Sequence, residues 1–193
     1  MTDSQNRWQG FLDGNKDDLS EIFMNYYDDL FRYGMKLSGN ENLVKDNIQD
    51  LFLKLWKNRS NLHPVENPKP YLFKSLRNHI IDSLALQKPL VSLKEDFEHP
   101  FEIIYSPEDF LINSQVTEET RQKVIRALNK LMPRQREAIY LRYLEELDFE
   151  TISHVMDINV QSVRNSLHRG MEALRQLMLA QPFFLLIGKI LLT

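Results

Sequence analysis

The chain has 193 residues, with 24 lysines and arginines against 27 aspartates and glutamates, and no cysteine. That length admits one medium domain or two small ones, and 42% apolar with 26% charged residues excludes a disordered chain or a membrane protein. Without cysteine there are no disulfides or thiolate metal sites, which fits a reducing compartment, and a net charge of −3 confines any nucleic-acid contact to local patches.

Residues 1–16 are polar apart from Trp8, Phe11 and Leu12, and they do not read as a signal peptide. From about Asn15, the residues Leu19, Ile22, Phe23, Tyr26, Tyr27, Leu30, Phe31 and Met35 recur at spacings of three and four, which predicts an amphipathic helix. Gly39-Asn40 ends it. A second helix from about Glu41 has Val44, Ile48, Leu51, Phe52 and Leu55 as its buried stripe, leaving Lys45, Asp46, Gln49 and Asp50 on the other side. A proline-bearing loop, Asn58 to Pro70, leads to a third helix from Tyr71 to about Leu86, with Tyr71, Leu72, Leu76, Ile80, Ile81 and Leu84 inward.

Residues 88–116 lose the helical period. Lys88 and Lys94 stand there against Glu95, Asp96, Glu98, Glu102, Glu108 and Asp109, with Pro89, Pro100 and Pro107 as breaks, so the stretch reads as an acidic linker. A second helical block, 117–179, follows. Thr117 opens it with a partial capping box. Val124, Leu128 and Leu131 line its first helix, Pro133 suits the first turn of the next, a third covers about Phe149 to Met156, and Asn159 caps a fourth that runs to about Leu179. The tail 180–193 carries PFFLLIGKILLT, too short for the ~20 residues a membrane helix needs and broken by Lys189. It is expected to pack on its own domain or to be disordered; the alternatives are an inhibitor contact or a membrane surface. The fold expected is all-α, with two small helical domains (15–87 and 117–179) joined by the acidic linker.

The stretch FETISHVMDINVQSVRNSLHRG has the helix-turn-helix pattern. Ile152, Val155, Ile158, Val163 and Leu167 are its apolar positions, and Gln161, Ser162, Arg164, Asn165 and His168 project from the exposed side of the second helix. Glutamine and asparagine can pair bidentately with adenine and arginine with guanine in the major groove. Arg169 and Arg175 lie where phosphate contact is natural, and Arg134 and Arg136 are further phosphate candidates.

The stretch LMPRQREAIYLRYLEELDFETISHVMDINVQSVRNSLHRGMEALR resembles the C-terminal domain of bacterial sigma factors of the extracytoplasmic-function group, through Pro133, Arg134, Gln135, Arg136, Glu137, Leu167, His168 and Arg169. VKDNIQDLFLKLW resembles that family's polymerase-binding helix. NPKPYLFKSLRNHIIDSL resembles its promoter-melting helix, through Asn67, Pro68, Tyr71, Leu72, Arg77, Asn78 and Asp82. The likeness covers roughly residues 19–178. It departs from the family at Asn47, where an aliphatic residue is usual, at Asp157, in place of the turn glycine, at Ser166, in place of an arginine, and in SLALQK, where a basic run is usual.

The resemblance implies a sigma factor that binds RNA polymerase core and directs promoter-specific initiation through two elements. Block 15–87 would correspond to region 2 and block 117–179 to region 4. Asp46, Gln49 and Asp50 would dock on the clamp of the largest polymerase subunit. Asn61, His63, Lys69, Tyr71, Phe73, Lys74 and Arg77 would hold the unpaired strand of the −10 element, with Tyr71 and Phe73 stacking on bases. Gln161, Ser162, Arg164, Asn165, His168 and Arg169 would read the −35 duplex. It also implies an anti-sigma partner, a cytoplasmic location with retention at the inner membrane by that partner, and no catalytic residue, cofactor, metal or small-molecule substrate. The alternative is a stand-alone helix-turn-helix regulator, which would dimerise on a palindromic operator. An enzyme is disfavoured because the histidines, at 63, 79, 99, 154 and 168, form no HExxH pair and no glycine-rich phosphate loop is present.

Overall fold

The computed structural model describes residues 3–87, 101–102 and 118–179. Among them there are eight α-helices and no strand: α1 (Asp3–Leu12), α2 (Lys16–Ser38), α3 (Glu41–Asn58), α4 (Pro68–Gln87), α5 (Glu118–Leu128), α6 (Pro133–Tyr143), α7 (Phe149–Met156) and α8 (Val160–Leu179). They divide into two compact units, the first built from α1 to α4 and the second from α5, α6, most of α7, and α8. The acidic linker and the apolar tail read from the sequence lie outside the described residues except at Phe101 and Glu102, and Thr117 lies outside them too.

In the first unit α2 packs on each of the other three helices. Its start is fixed by Asn15, whose side chain accepts from the Asp17 amide at 2.9 Å, and its end by Gly39, left-handed at φ 64°, whose N–H returns to the Met35 carbonyl. Asn40 then caps α3 by accepting from the Leu43 amide at 3.2 Å. One residue ends a helix and the next starts another, so α2 and α3 fold back as a tight pair. The core holds Ile22, Leu30, Tyr33 and Leu37 of α2 with Val44, Ile48, Leu51 and Leu55 of α3 and Leu72, Phe73, Leu76 and Ile80 of α4.

At Gly34, α2 runs close against both α3 and α4. A Cβ there would lie 2.7 Å from Val44 Cγ1 and 3.1 Å from Ile80 Cδ1, both on branched side chains in a filled core. Gly34→Ala should therefore destabilise the unit by about 1–3 kcal/mol through overpacking, despite a gain of up to about 1 kcal/mol in helix propensity. Urea unfolding measures it, and a midpoint at or above that of the parent chain would mean that Val44 and Ile80 give way freely.

Helix α1 forms in a stretch whose polar composition predicts no element. Trp8 and Phe11, one turn apart, are fully buried, with ring centroids 5.1 Å apart in an edge-to-face pair. Asn47, the polar residue at an aliphatic position, is also buried. Its amide donates to the Leu43 carbonyl at 2.7 Å and its Oδ1 accepts from Ser83 Oγ at 3.1 Å, so a satisfied hydrogen bond ties α3 to α4 where a methyl contact would otherwise stand.

In the second unit α6 packs along α8. Pro133 takes the first position of α6, and the Gln135 side chain accepts from the Met132 amide at 3.2 Å, closing the helix start. Tyr140 is buried, its hydroxyl donating to Glu145 Oε1 at 2.6 Å, and Phe101 sits 5.7 Å from it, centroid to centroid. The linker residue Phe101 is thus anchored in the second unit.

Candidate functional site

The helix-turn-helix of the second unit forms as its caps dictate. Asp148 Oδ1 accepts from the Thr151 amide at 2.7 Å at the start of α7. That bond, with one from the Thr151 hydroxyl, holds the Asp148 carboxyl below its ordinary range. Between the helices Asp157 is left-handed at φ 54°, the conformation expected where it replaces a glycine. Asn159 Oδ1 then accepts from the Ser162 amide at 2.7 Å, which sets the first turn of α8. Ile152, Val155, Val163 and Leu167 are buried, as their spacing requires, and Ile158 is half-buried.

The polar side of α8 faces outward. Gln161, Arg164, Asn165, His168 and Arg169 are exposed and Ser162 is half-buried. These positions recur mostly at intervals of three and four, so they form one face just over two turns long. Two contacts pre-order that face. Gln161 Nε2 donates to Asn165 Oδ1 at 3.0 Å, and the Arg164 guanidinium lies 5.4 Å from the centre of the Phe149 ring. Arg142, on α6, lies 5.2 Å from the same ring while donating to the Leu147 carbonyl at 2.8 Å. Phe149 is thus shared by two cations and restrains the rotamer of Arg164. No local pattern signals this, because Phe149 reads only as the first apolar residue of a short helix.

Arg134 and Arg175 are exposed, as phosphate contacts would need. Arg136 is not. It is 8% exposed and donates to the Asn129 carbonyl at 3.1 Å and to its side chain at 3.4 Å, so it closes the turn before α6 instead of reaching outward.

In the first unit the expected strand-binding residues surround the loop between α3 and α4. Asn61 and His63 are exposed, and Lys69, Tyr71 and Lys74 are half-buried. Lys69 Nζ lies 3.4 Å from Asp29 and 5.5 Å from the centre of the Phe73 ring. Two members of the set are corrected. Phe73 is fully buried and stacked on Tyr33 at 5.0 Å between centroids, so neither face is open to a base. Arg77 is 8% exposed and lies in the body of α4, not along an open phosphate path. Trp8, absent from the expected set, touches two of its members: its indole Nε1 donates to the His63 carbonyl at 3.1 Å and its ring meets Tyr71 edge-on at 5.9 Å.

The outer side of α3 carries Asp46, Gln49 and Asp50, all exposed, with Lys45 bonded to Glu41 at 2.6 Å. That bond raises the Lys45 pKa, keeping it charged. Leu53 continues the same face one turn on and is 49% exposed. It borders an open groove of about 600 Å³ between α2 and α3, lined by Leu19, Phe23, Tyr27, Phe52, Leu53 and Trp56. Phe23 packs on Phe52 at 5.0 Å and on Tyr27 at 5.2 Å, so the groove has a rigid aromatic floor. The Trp56 ring forms one wall of the groove, with the Arg59 guanidinium 4.2 Å from its centre. On the next turn Lys54 Nζ lies 3.2 Å from His79 Nε2, and burial first, then the Lys54 charge, lowers the His79 pKa. A neutral His79 can accept from the lysine. Among the described residues no group of histidines and carboxylates is arranged to hold a metal, and no helix is long and apolar enough to cross a membrane.

Two family models match the chain. The one described as Sigma-70 region 2 covers residues 22–89, and the one described as Sigma-70, region 4 covers residues 121–174. The ECF RNA polymerase sigma factor SigM of Bacillus subtilis (strain 168) is 26% identical over 162 residues, which span 82% of this chain and 94% of that protein. Two solved structures share the fold. CnrH, in complex with the cytosolic domain of CnrY, aligns with a TM-score of 0.62 at 17% identity, covering 92% of this chain and 98% of that one. RpoE from Bartonella quintana, in complex with the anti-sigma factor NepR, aligns with a TM-score of 0.58 at 21% identity, covering 83% of this chain and 96% of that one.

Proposed function

Because the chain belongs to the sigma-70 family, in its extracytoplasmic-function group, and so serves promoter-specific initiation of transcription, we propose that its two helical units divide promoter reading between them while α3 fastens the factor to RNA polymerase core. The observation that carries this is the pairing of two family matches, region 2 and then region 4, with an outward polar face on α8 and a mixed polar and apolar face on α3. Gln161, Ser162, Arg164, Asn165 and His168 read base edges of the −35 duplex, and Arg169 and Arg175 hold phosphates. Asn61, His63, Lys69, Tyr71 and Lys74 receive the unpaired −10 strand, Tyr71 supplying the stacking surface. Asp46, Gln49 and Asp50 surround Leu53 in the contact with the polymerase clamp.

The domain division proposed is region 2 over 15–87, a linker over 88–116, region 4 over 117–179 and a tail over 180–193. Bond-forming chemistry belongs to the polymerase, and this chain supplies no catalytic residue. An anti-sigma factor controls it by covering the docking face. That reading is supported by the two fold neighbours, one solved with the anti-sigma factor NepR and the other with the cytosolic domain of CnrY. The site of action is the cytoplasm, with retention at the inner membrane through that inhibitor. A stand-alone regulator is not favoured, since such a protein has no use for region 2.

Transcription in vitro with purified core polymerase on genomic fragments tests the proposal. The protein should direct transcripts from discrete start sites that share two spaced elements. Starts no more numerous or better defined than those of core alone would overturn it.

A further inference from the structure

The tie between Trp8 and the loop before α4 joins positions 55 residues apart. The loop has few bonds of its own. Residues 62–67 have no repetitive structure, and Pro64, Pro68 and Pro70 offer no N–H. Leu62 donates to the Arg59 carbonyl at 3.2 Å, and Asn67 Oδ1 accepts from the Lys69 amide at 3.0 Å. Between these two bonds, the His63 carbonyl is held by the indole N–H of Trp8. The same indole, 1% exposed, packs edge-on against Phe11 on its own helix and Tyr71 on α4. One rigid ring therefore fixes both the beginning of the loop and the aromatic residue beyond its end.

Resting on the −10 reading above, we infer that Trp8 is a positioning residue for that site: it sets the distance and angle between the His63 end of the loop and Tyr71, and thereby the sequence preference for the unpaired strand. Helix α1, which precedes the segment matched as region 2, is then part of the promoter reader. Holding a flipped base requires a pocket whose walls are fixed before the base arrives. A loop whose carbonyl is freed relaxes, and every base fits it about equally.

The test uses the full chain assembled with core polymerase and a DNA library randomised over an upstream duplex segment and a downstream unpaired segment. The parent chain should enrich one pattern in each. Trp8→Phe keeps an aromatic ring and removes the donor. It should lower enrichment in the unpaired segment by about fivefold, the worth of one ordinary hydrogen bond, with core affinity and the duplex pattern unchanged. A second variant carries benzothienylalanine at position 8, which retains the bicyclic shape and lacks only the N–H, so the result stands even if phenylalanine impairs folding. Unaltered enrichment in both variants overturns the inference. So does a parallel fall in core affinity, duplex pattern and unpaired pattern, which would make Trp8 a core residue and nothing more. If the parent chain enriches nothing in the unpaired segment, the −10 reading itself fails and this inference falls with it.

Discussion

Arg164→Ala should relax the −35 preference at a single base pair and lower affinity for the preferred duplex about fivefold to 150-fold, the range for losing a good bidentate contact of about 1–3 kcal/mol. The expectation rests on more than exposure. The guanidinium is held 5.4 Å from the centre of the Phe149 ring, so part of its rotamer freedom is already spent before DNA binds. Arg164→Lys should not restore the preference, because an ammonium lacks the planar pair of donors that matches guanine. Asn165→Ala should act at a neighbouring pair. Its Oδ1 accepts from Gln161 yet has a second lone pair, so the amide is oriented and still free to accept from adenine. Arg175→Ala provides the contrast. A phosphate contact there would weaken binding to all sequences alike and reduce the salt slope by about one. Start-site mapping and competition binding measure these effects, and unchanged promoter choice in both Arg164→Ala and Asn165→Ala would remove α8 as the reading helix.

The parts of this site that could be read in the sequence are those set by local chemistry. Asn15, Gly39, Asn40 and Asn159 terminate or start helices through bonds within three or four residues, and Asp157 takes a left-handed conformation for a reason internal to its own side chain. The polar face of α8 follows from the burial of Val163 and Leu167. What escaped depends on distant partners. Trp8 and Phe11 sit in a polar stretch too short to show a period, and they are buried only because α2 and α4 cover α1. Phe73 was misplaced for a different reason. It is buried beside Leu72, Leu76 and Ile80 on α4, yet the inward set read from helical spacing omitted it and the family resemblance drew it into the strand-binding set. Arg136 escaped otherwise: its charge near the start of a helix reads as a phosphate contact, yet its donors close a turn.

Leu53 carries the other large effect. Its side chain is 49% exposed on the face of Asp46, Gln49 and Asp50, and it interrupts a polar stripe at the rim of an aromatic groove. Covering the exposed half of that side chain gains about 0.7–1.5 kcal/mol. Leu53→Glu forfeits that gain and adds the cost of desolvating a carboxylate within the contact. Affinity for core polymerase should fall by more than about a hundredfold. Stability should change by about 0.5 kcal/mol or less, as for an ordinary surface substitution. The same exchange at Leu86, 88% exposed on α4 and outside the groove lining, should leave core affinity intact, which separates loss of the docking face from a general effect of added charge. Asp46→Asn and Asp50→Asn should act more weakly, chiefly on the association rate and its dependence on salt, because charges at a rim steer encounter more than they hold the complex. Titration of labelled core enzyme with each variant resolves the series. Wild-type affinity for Leu53→Glu would mean that the polymerase is held elsewhere and that the groove between α2 and α3 is not the docking face.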